Sequence, residues 1–323
     1  MKAIRIHQYG GPEVMHFENH VLPELKPNEA RIKHHAIGVN YIDVYFRTGL
    51  YPAPQLPFTL GNEAAGEVVA LGSAVSGLKI GDRVAYVAAL CGYSEQANVD
   101  ANKLIKLPKY ISYEIGASMM LKGLTAQYLL NRTFPIEKGD TMLVHAAAGG
   151  VGLMLCQWGR ALGAKVIGTV GSAEKAKLAK RAGAHHVIQY NEENFVERVA
   201  QITKGKKCDV VYDGVGKTTF PGSLDCLRPL GLFVSFGNAS GPIEAFNPGI
   251  LAKKGSLFMT RPTLNTYTAD RADLVAAAKD LIAAIKDGMV DIDVHAHYAL
   301  KDAAQAHIAL EGRATTGSTV LIP

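Results

Sequence analysis

Ala147, Gly149 and Gly152 stand at the spacing of a phosphate cradle, inside the stretch His145-Ala-Ala-Ala-Gly-Gly-Val-Gly152. The apolar run Thr141-Met-Leu-Val144 before them reads as a buried strand. Val151 to Leu162 after them reads as a helix. A strand, a glycine turn and a helix N-terminus direct backbone N–H groups and the positive end of the helix dipole at an anion. The pattern Ala-x-Gly-x-x-Gly is a dinucleotide fingerprint with alanine in the first glycine position, and its chemistry is the binding of a pyrophosphate.

The residues after the next strand select the nucleotide. Where NAD is bound, an acid commonly ends that strand, about 20 residues past the fingerprint, and takes the ribose 2′-hydroxyl. Here Val170 is followed by Gly171 and Ser172, and Lys175 comes within one helical turn. A small, basic corner attracts a 2′-phosphate that an acid would repel. The expected cofactor is NADPH. The competing reading, which Glu174 keeps open, is that Lys175 is a solvated surface lysine.

Several elements must position these residues. Strand patterns recur at Lys165 to Val170, His185 to Tyr190, Asp209 to Asp213, Gly231 to Phe236 and Ser256 to Thr260. Helix patterns run from Ala173 to Ala182 and from Glu192 to Thr203. This alternation predicts a parallel sheet covered on both faces, a six-stranded, doubly wound α/β domain. The first 120 or so residues differ, with β-branched runs such as Arg83-Val-Ala-Tyr-Val87 between Pro and Gly punctuation, which predicts short antiparallel or barrel-like strands. Pro108 and Ser112 open a helix that reaches toward Leu130. The last sixty or so residues return to this part of the chain, with helices around Leu274 to Ile285 and Asp302 to Leu310 and a closing strand, Ser318 to Ile322. The nucleotide domain is therefore expected over 124–262, inserted in a domain built from 1–123 and 263–323.

Bulk properties exclude other classes. The chain has 323 residues, enough for two cores, with 48% hydrophobic and 20% charged residues. A net charge of +5 is spread without long runs, which argues against nucleic acid as a partner. Cys91, Cys156, Cys208 and Cys226 show no zinc-binding or redox spacing. No signal sequence or spanning segment is visible, so a cytoplasmic protein is expected. His34, His35, His185 and His186 form two pairs without a third ligand and read as surface histidines flanking strands.

The whole chain resembles the zinc-free quinone oxidoreductases of the medium-chain dehydrogenase/reductase superfamily. The marks are Gly38-Val-Asn-Tyr-Ile-Asp43, Gly49-Leu-Tyr-Pro52, Gly61-Asn-Glu-Ala-Ala-Gly66, Gly81-Asp-Arg-Val84 and Leu121-Lys-Gly-Leu-Thr125. His145 to Gly152, Val211-Tyr-Asp213, Val234-Ser-Phe-Gly-Asn238 and Arg313-Ala-Thr-Thr-Gly317 complete them. The resemblance implies a Rossmann domain inserted in a GroES-like, mostly β catalytic domain. In the zinc-dependent alcohol dehydrogenases of that superfamily a cysteine stands where Asn40 is, a histidine where Asn62 is, and a further cysteine near Leu121. Amides and a leucine make no zinc site, and Glu63 alone is not one. Without a Lewis acid, alcohol oxidation gives way to hydride delivery onto an acceptor that is already electron-poor, such as a quinone.

The resemblance also implies roles. Gly149, Gly150 and Val151 would meet the pyrophosphate, and Gly171, Ser172, Lys175 and Tyr190 the 2′-phosphate. Val215, Phe236, Gly237 and Asn238 would line the ribose and nicotinamide trough. Asn40, Tyr45, Thr125 and Thr260 would hold the nicotinamide side, and Arg313 would reach the cofactor from the C-terminal segment. For catalysis the candidates are Asn40 and Tyr45, with Tyr51 behind them. Packing alone is the competing account of either tyrosine. Two other functions compete: reduction of α,β-unsaturated ketones or aldehydes, and a crystallin-like or RNA-binding role for an NADPH-binding protein. The apolar strand Ser256 to Thr260 at a sheet edge points to a homodimer.

Overall fold

The computed structural model describes residues 1–87 and 90–323. In chain order its first elements are β1 (Lys2–Ile6), β2 (His16–Asn19), β3 (Glu29–Gly38), α1 (Tyr41–Thr48), β4 (Phe58–Thr59), β5 (Glu63–Leu71), β6 (Arg83–Val87), β7 (Gln96–Asp100), β8 (Ile105–Lys106) and α2 (Tyr113–Tyr128). There follow β9 (Thr141–Val144), α3 (Gly150–Ala161), β10 (Lys165–Val170), α4 (Ala173–Arg181), β11 (His186–Gln189), α5 (Phe195–Ile202), β12 (Cys208–Asp213), α6 (Phe220–Asp225), β13 (Leu227–Ser235), α7 (Gly249–Lys253) and β14 (Phe258–Thr260). The chain ends with α8 (Leu264–Tyr267), α9 (Arg271–Lys286), β15 (Val294–Ala299), α10 (Ala303–Glu311) and β16 (Ser318–Ile322).

Two compact units result. One takes Met1–Leu124, Ala269–Ala278 and Ile292–Pro323, and the other Thr125–Thr268 and Lys279–Asp291. The first holds a seven-stranded sheet in the order β15-β16-β3-β5-β6-β8, with β7 also paired to β3, and a three-stranded sheet β2-β1-β4. Apart from the parallel pair β15 and β16, its pairings are antiparallel. Its core gathers Ile4, Ile32, Ile37, Leu60, Val84, Tyr86, Tyr93 and Leu321, all essentially buried. This is the mostly β half that the sequence predicts.

The second unit holds the parallel sheet β11-β10-β9-β12-β13-β14. Leu143, Ile167, Ile188, Val211 and Phe233 supply one buried residue from each of five adjacent strands to a single apolar cluster. Side chains that point the same way from neighbouring strands meet, and helices α5 and α6 cover them through Val199, Phe220 and Leu224. This is the doubly wound Rossmann sheet.

Local signals explain where elements begin and end. Ser112 Oγ accepts from Ile115 N at 3.1 Å and opens α2. That helix runs on as a π turn over Leu129–Thr133 instead of stopping. α5 starts at Phe195, later than the expected Glu192, because the Asn194 side chain accepts from Val196 N and caps the helix there. β13 reaches back to Leu227, upstream of Gly231, because Cys208 of β12 pairs with Leu227. Gly288, at φ +71, follows α9 and ends it in the left-handed region that glycine favours.

One expectation is corrected. His34 is not a surface histidine: it is 3% exposed in β3. Its Nδ1 donates to Ser94 O at 2.7 Å, which leaves Nε2 to accept from the Tyr86 hydroxyl at 3.0 Å. Burial pushes its pKa down to about 4, so it is a neutral core residue. His185 and His186 are exposed as expected.

Candidate functional site

The phosphate cradle is a turn held between two neighbouring strands. His145 N donates to Tyr212 O and Ala147 N to Thr169 O, both at 3.0 Å, and Gly149 N closes the turn on Ala146 O at 2.9 Å. Ala146 is left-handed, at φ 52. Gly149 is the N-cap of α3, so Gly150 and Val151 begin the helix with their N–H groups at its positive end. Gly152 has no alternative, because a Cβ there would lie 2.2 Å from Ala146 O. The alanine of the fingerprint is explained by a partner strand. Ala147 is fully buried, and a Cβ at Gly168 in β10 would lie 2.7 Å from its methyl group.

Under this turn lies a buried polar cluster. The His145 ring sits 2.9 Å from Thr169 Oγ1 through Nδ1 and 3.0 Å from Ser223 Oγ through Nε2. Burial lowers its pKa, against the pull of the Asp213 charge, and keeps the imidazole neutral. Asp213 does more than end a strand. Its Oδ1 accepts from Val215 N (2.7 Å) and Gly216 N (3.0 Å), and its Oδ2 from Thr219 Oγ1 (2.7 Å). The Val215 turn is thereby fixed.

That turn is zipped to the next one. Phe236 N donates to Asp213 O at 2.9 Å and Ser240 N to Val215 O at 2.8 Å. A Cβ at Gly237 would lie 2.5 Å from Gly214 O, and one at Gly214 would touch the Phe236 ring. Val215, Phe236, Gly237 and Asn238 are therefore one surface at the C-terminal ends of β12 and β13, where an open α/β sheet takes its ligands. Thr260 pairs beside it with Val234. Thr125 is buried one helical turn from Tyr128, whose ring stacks on Tyr267 at 4.3 Å between centroids.

The residues expected at the 2′-phosphate are also brought together. Ser172 Oγ accepts from Lys175 N and caps α4. Asn191 Nδ2 donates to Gly171 O at 2.8 Å, and a Cβ at Gly171 would lie 2.7 Å from the Tyr190 hydroxyl. Gly171, Ser172, Lys175 and Tyr190 thus converge. The Glu174 pKa is lowered first by its own backbone N–H and next by Ser172, as a first-turn acid on α4. These features fit a phosphorylated dinucleotide: a cradle that a side chain would fill, and a helix cap beside a lysine where an acid would otherwise stand.

The first unit brings together Asn40, Tyr45 and Tyr51. Asn40 precedes α1, and its N–H donates to Asp43 Oδ2 at 2.9 Å. Tyr51 N donates to Tyr45 O at 3.1 Å, and the two rings meet edge to face at 5.1 Å between centroids. Arg313 stands left-handed (φ 56) after α10, near Tyr41, whose pKa rises chiefly through burial with the Arg313 charge opposing.

Behind Asn40 lies a run of buried polar residues. Glu63 is fully buried and accepts from Leu121 N (Oε1, 2.9 Å) and Asn40 Nδ2 (Oε2, 2.8 Å), with Lys122 Nζ at 3.9 Å. Burial raises the Glu63 pKa and lowers that of Lys122. Asp43 accepts from Asn62 N at 3.0 Å, Asn62 Nδ2 at 3.2 Å and the Tyr93 hydroxyl at 3.1 Å. Asn62 is spent on Asp43, as Asn40 is on Glu63. Arg47, 1% exposed, donates to His307 Nδ1, to Gly10 O and to both carboxylate oxygens of Glu311. Among the described residues, no group of three or more His, Cys, Asp or Glu side chains is placed to hold a metal ion, and no helix is long and apolar enough to cross a membrane. Asp43 and Lys122 could have been found in the sequence as charges inside apolar motifs. Nothing local pointed to His307.

Comparison with known proteins adds to this geometry. Residues 26–138 match the alcohol dehydrogenase GroES-like domain family, and residues 150–281 the zinc-binding dehydrogenase family. A quinone oxidoreductase of Pseudomonas aeruginosa is 53% identical over 100% of this chain and 99% of its own length. A 2-haloacrylate reductase of a Burkholderia species is 43% identical over 99% of this chain and 98% of its own. The crystal structure of Escherichia coli quinone oxidoreductase complexed with NADPH superposes with a TM-score of 0.98 at 51% identity, covering 100% of both chains.

Proposed function

This chain belongs to the quinone oxidoreductases of the medium-chain dehydrogenase/reductase superfamily, and from that premise we propose that it is an NADPH-dependent quinone reductase working without zinc. The observation that carries the reading is the state of Glu63. Both of its oxygens are taken by donors of this chain, the amide nitrogens of Asn40 and Asn62 are spent on carboxylates, and amide oxygens are poor zinc ligands, so this donor set is ill suited to zinc. The acceptor must then be electrophilic by itself.

Bound NADPH supplies the hydride or electrons that a quinone takes up. The chain's part is to bind and orient. The N–H groups of Gly149, Gly150 and Val151 hold the pyrophosphate. Gly171, Ser172, Lys175 and Tyr190 hold the 2′-phosphate. Val215, Phe236, Gly237, Asn238, Thr125 and Thr260 line the nicotinamide, and Arg313 steadies the cofactor. Asn40 orients the reactants, and the Tyr45 hydroxyl donates a hydrogen bond to the acceptor oxygen, with Tyr51 packed against its ring.

A second reading has its own support. The Burkholderia relative is named for a conjugated alkene substrate, so enones share the claim with quinones. Initial rates with NADPH and with NADH, each against a 1,4-benzoquinone and an enone, decide between them. NADPH with the quinone is expected to be fastest. A faster enone rate moves the assignment to the second reading, and NADH preference ends the first. We further propose that the protein is cytoplasmic and a homodimer, the dimer supported by the edge strand β14, whose Phe258 is 60% exposed. Sedimentation at micromolar concentration tests it, and a stable monomer overturns it.

A further inference from the structure

Lys122, Glu63 and Asn40 form a buried triad in which an ammonium stands beside a carboxylate that holds an amide. Lys122 is 7% exposed, Asn40 4% and Glu63 0%. The carboxylate is walled in: a Cβ at Gly38 would lie 2.6 Å from Glu63 Oε2 and 2.2 Å from Ala117 O. Three titratable groups face it: Lys122 from α2, Asp43 from α1 and the Tyr93 phenol. The Asp43 charge opposes ionisation of Glu63, and the Lys122 charge supports it.

The ionisation state matters because it sets the direction of a hydrogen bond. An ionised carboxylate only accepts, so Asn40 must turn Nδ2 toward Glu63, which puts Oδ1 on the side of the Asp43 N–H at the start of α1 with its second lone pair for the reactants. A protonated Glu63 donates as well, so the carboxyl group then no longer selects Nδ2 over Oδ1. We propose that Lys122 is a positioning residue for quinone reduction, its buried ammonium acting as the counter-charge that holds Glu63 as an acceptor and so fixes which end of the Asn40 amide is presented to the reactants. The inference rests on the quinone-reductase reading and assigns a residue to that same site.

Three variants test it: Lys122→Met, Glu63→Gln and the two combined. In Glu63→Gln the new amide keeps its oxygen on Leu121 N, so its NH2 group must face Asn40 and turn that side chain over. Lys122→Met is expected to lower kcat for quinone about ten- to a hundred-fold, the worth of one charge-assisted hydrogen bond. NADPH affinity, read by fluorescence titration, is expected to move by less than about threefold, a split between kcat and binding that a merely loosened fold would not give. The Lys122→Met loss recovers as pH rises and Glu63 regains its charge. Glu63→Gln shows the same loss without the recovery. The double variant has no buried net charge to strand, so it reports even where Lys122→Met folds poorly. It is expected to match Glu63→Gln, since Lys122 acts only through Glu63. Wild-type kcat in Lys122→Met, or a further loss when Lys122→Met is added to Glu63→Gln, overturns the inference. A wild-type enzyme that binds NADPH but reduces no quinone overturns the underlying reading instead.

Discussion

Asp43 and His307 meet the same atom: the Tyr93 hydroxyl lies 3.1 Å from Asp43 Oδ2 and 2.9 Å from His307 Nε2. Arg47 donates to His307 Nδ1, so Nε2 carries the proton, Tyr93 accepts it, and the phenol donates onward to Asp43. The two ends have opposite proton preferences. Burial pushes the Asp43 carboxyl up to about 7, against the donors that Asn62, Asn40 and Tyr93 supply. Burial and the Arg47 charge push His307 down to about 3.

Stability should therefore show two cancelling slopes. Asp43 holds its proton more tightly folded than unfolded, so its contribution falls as pH rises from about 4 to 7. His307 holds its proton less tightly folded, so its contribution falls as pH drops from about 6.5 to 3. Asp43→Asn should gain on wild type by up to about 1.4 kcal/mol per pH unit as pH rises through the first window, and His307→Gln should lose by as much through the second. Urea unfolding at several pH values reads both. Parallel curves for all three proteins would refute the assignment.

Tyr93→Phe removes the link without changing the ring. It leaves His307 Nε2–H without its partner and Asp43 short of one donor, and should cost about 1–3 kcal/mol. Chemical denaturation measures it, and a change under about 0.5 kcal/mol would mean that water replaces the hydroxyl.

How far the sequence could be read follows from the same residues. The Rossmann half was legible because its signals are local: Thr141–Val144 and Lys165–Val170 are apolar runs whose bounds match the strands. The glycine turn before α3 and the Ser172 cap of α4 were legible for the same reason, since Gly149 to Gly152 and Gly171 to Lys175 are each contiguous. The buried run behind Asn40 was not. Arg47 and His307 are 260 positions apart and share no motif, and only the closing of α10 onto α1 joins them. His34 was misread because a histidine in a strand gives no sign of whether Ser94 and Tyr86 will meet it.

Lys175→Ala should weaken NADPH about ten- to a hundred-fold while leaving NADH nearly unchanged, because one charge-assisted contact to the 2′-phosphate is lost. Equal losses for both cofactors would show that Lys175 supports α4 and not the phosphate.

Tyr45→Phe should reduce kcat/KM for quinone about tenfold through the lost hydroxyl, and Tyr51→Phe by less, since Tyr51 acts through the ring it packs on Tyr45. Steady-state rates at saturating NADPH compare them, and a larger effect in Tyr51→Phe would reverse the two roles.

Gly168→Ala should destabilise the nucleotide unit by about 1–3 kcal/mol, because two methyl groups would compete for one space. Adding Ala147→Gly should return most of that, as read by thermal unfolding with and without NADPH. Independent, additive effects would mean that the two positions do not share the space.

That shared methyl has a bearing on how such folds are searched for. The first place of the fingerprint is not a property of one position. One methyl group fits across Ala147 and Gly168, and the chain has put it on the turn and left the strand bare. A linear pattern that insists on glycine in the first place would pass over this chain. A rule written over two positions 21 residues apart, admitting one small side chain in total, would find it.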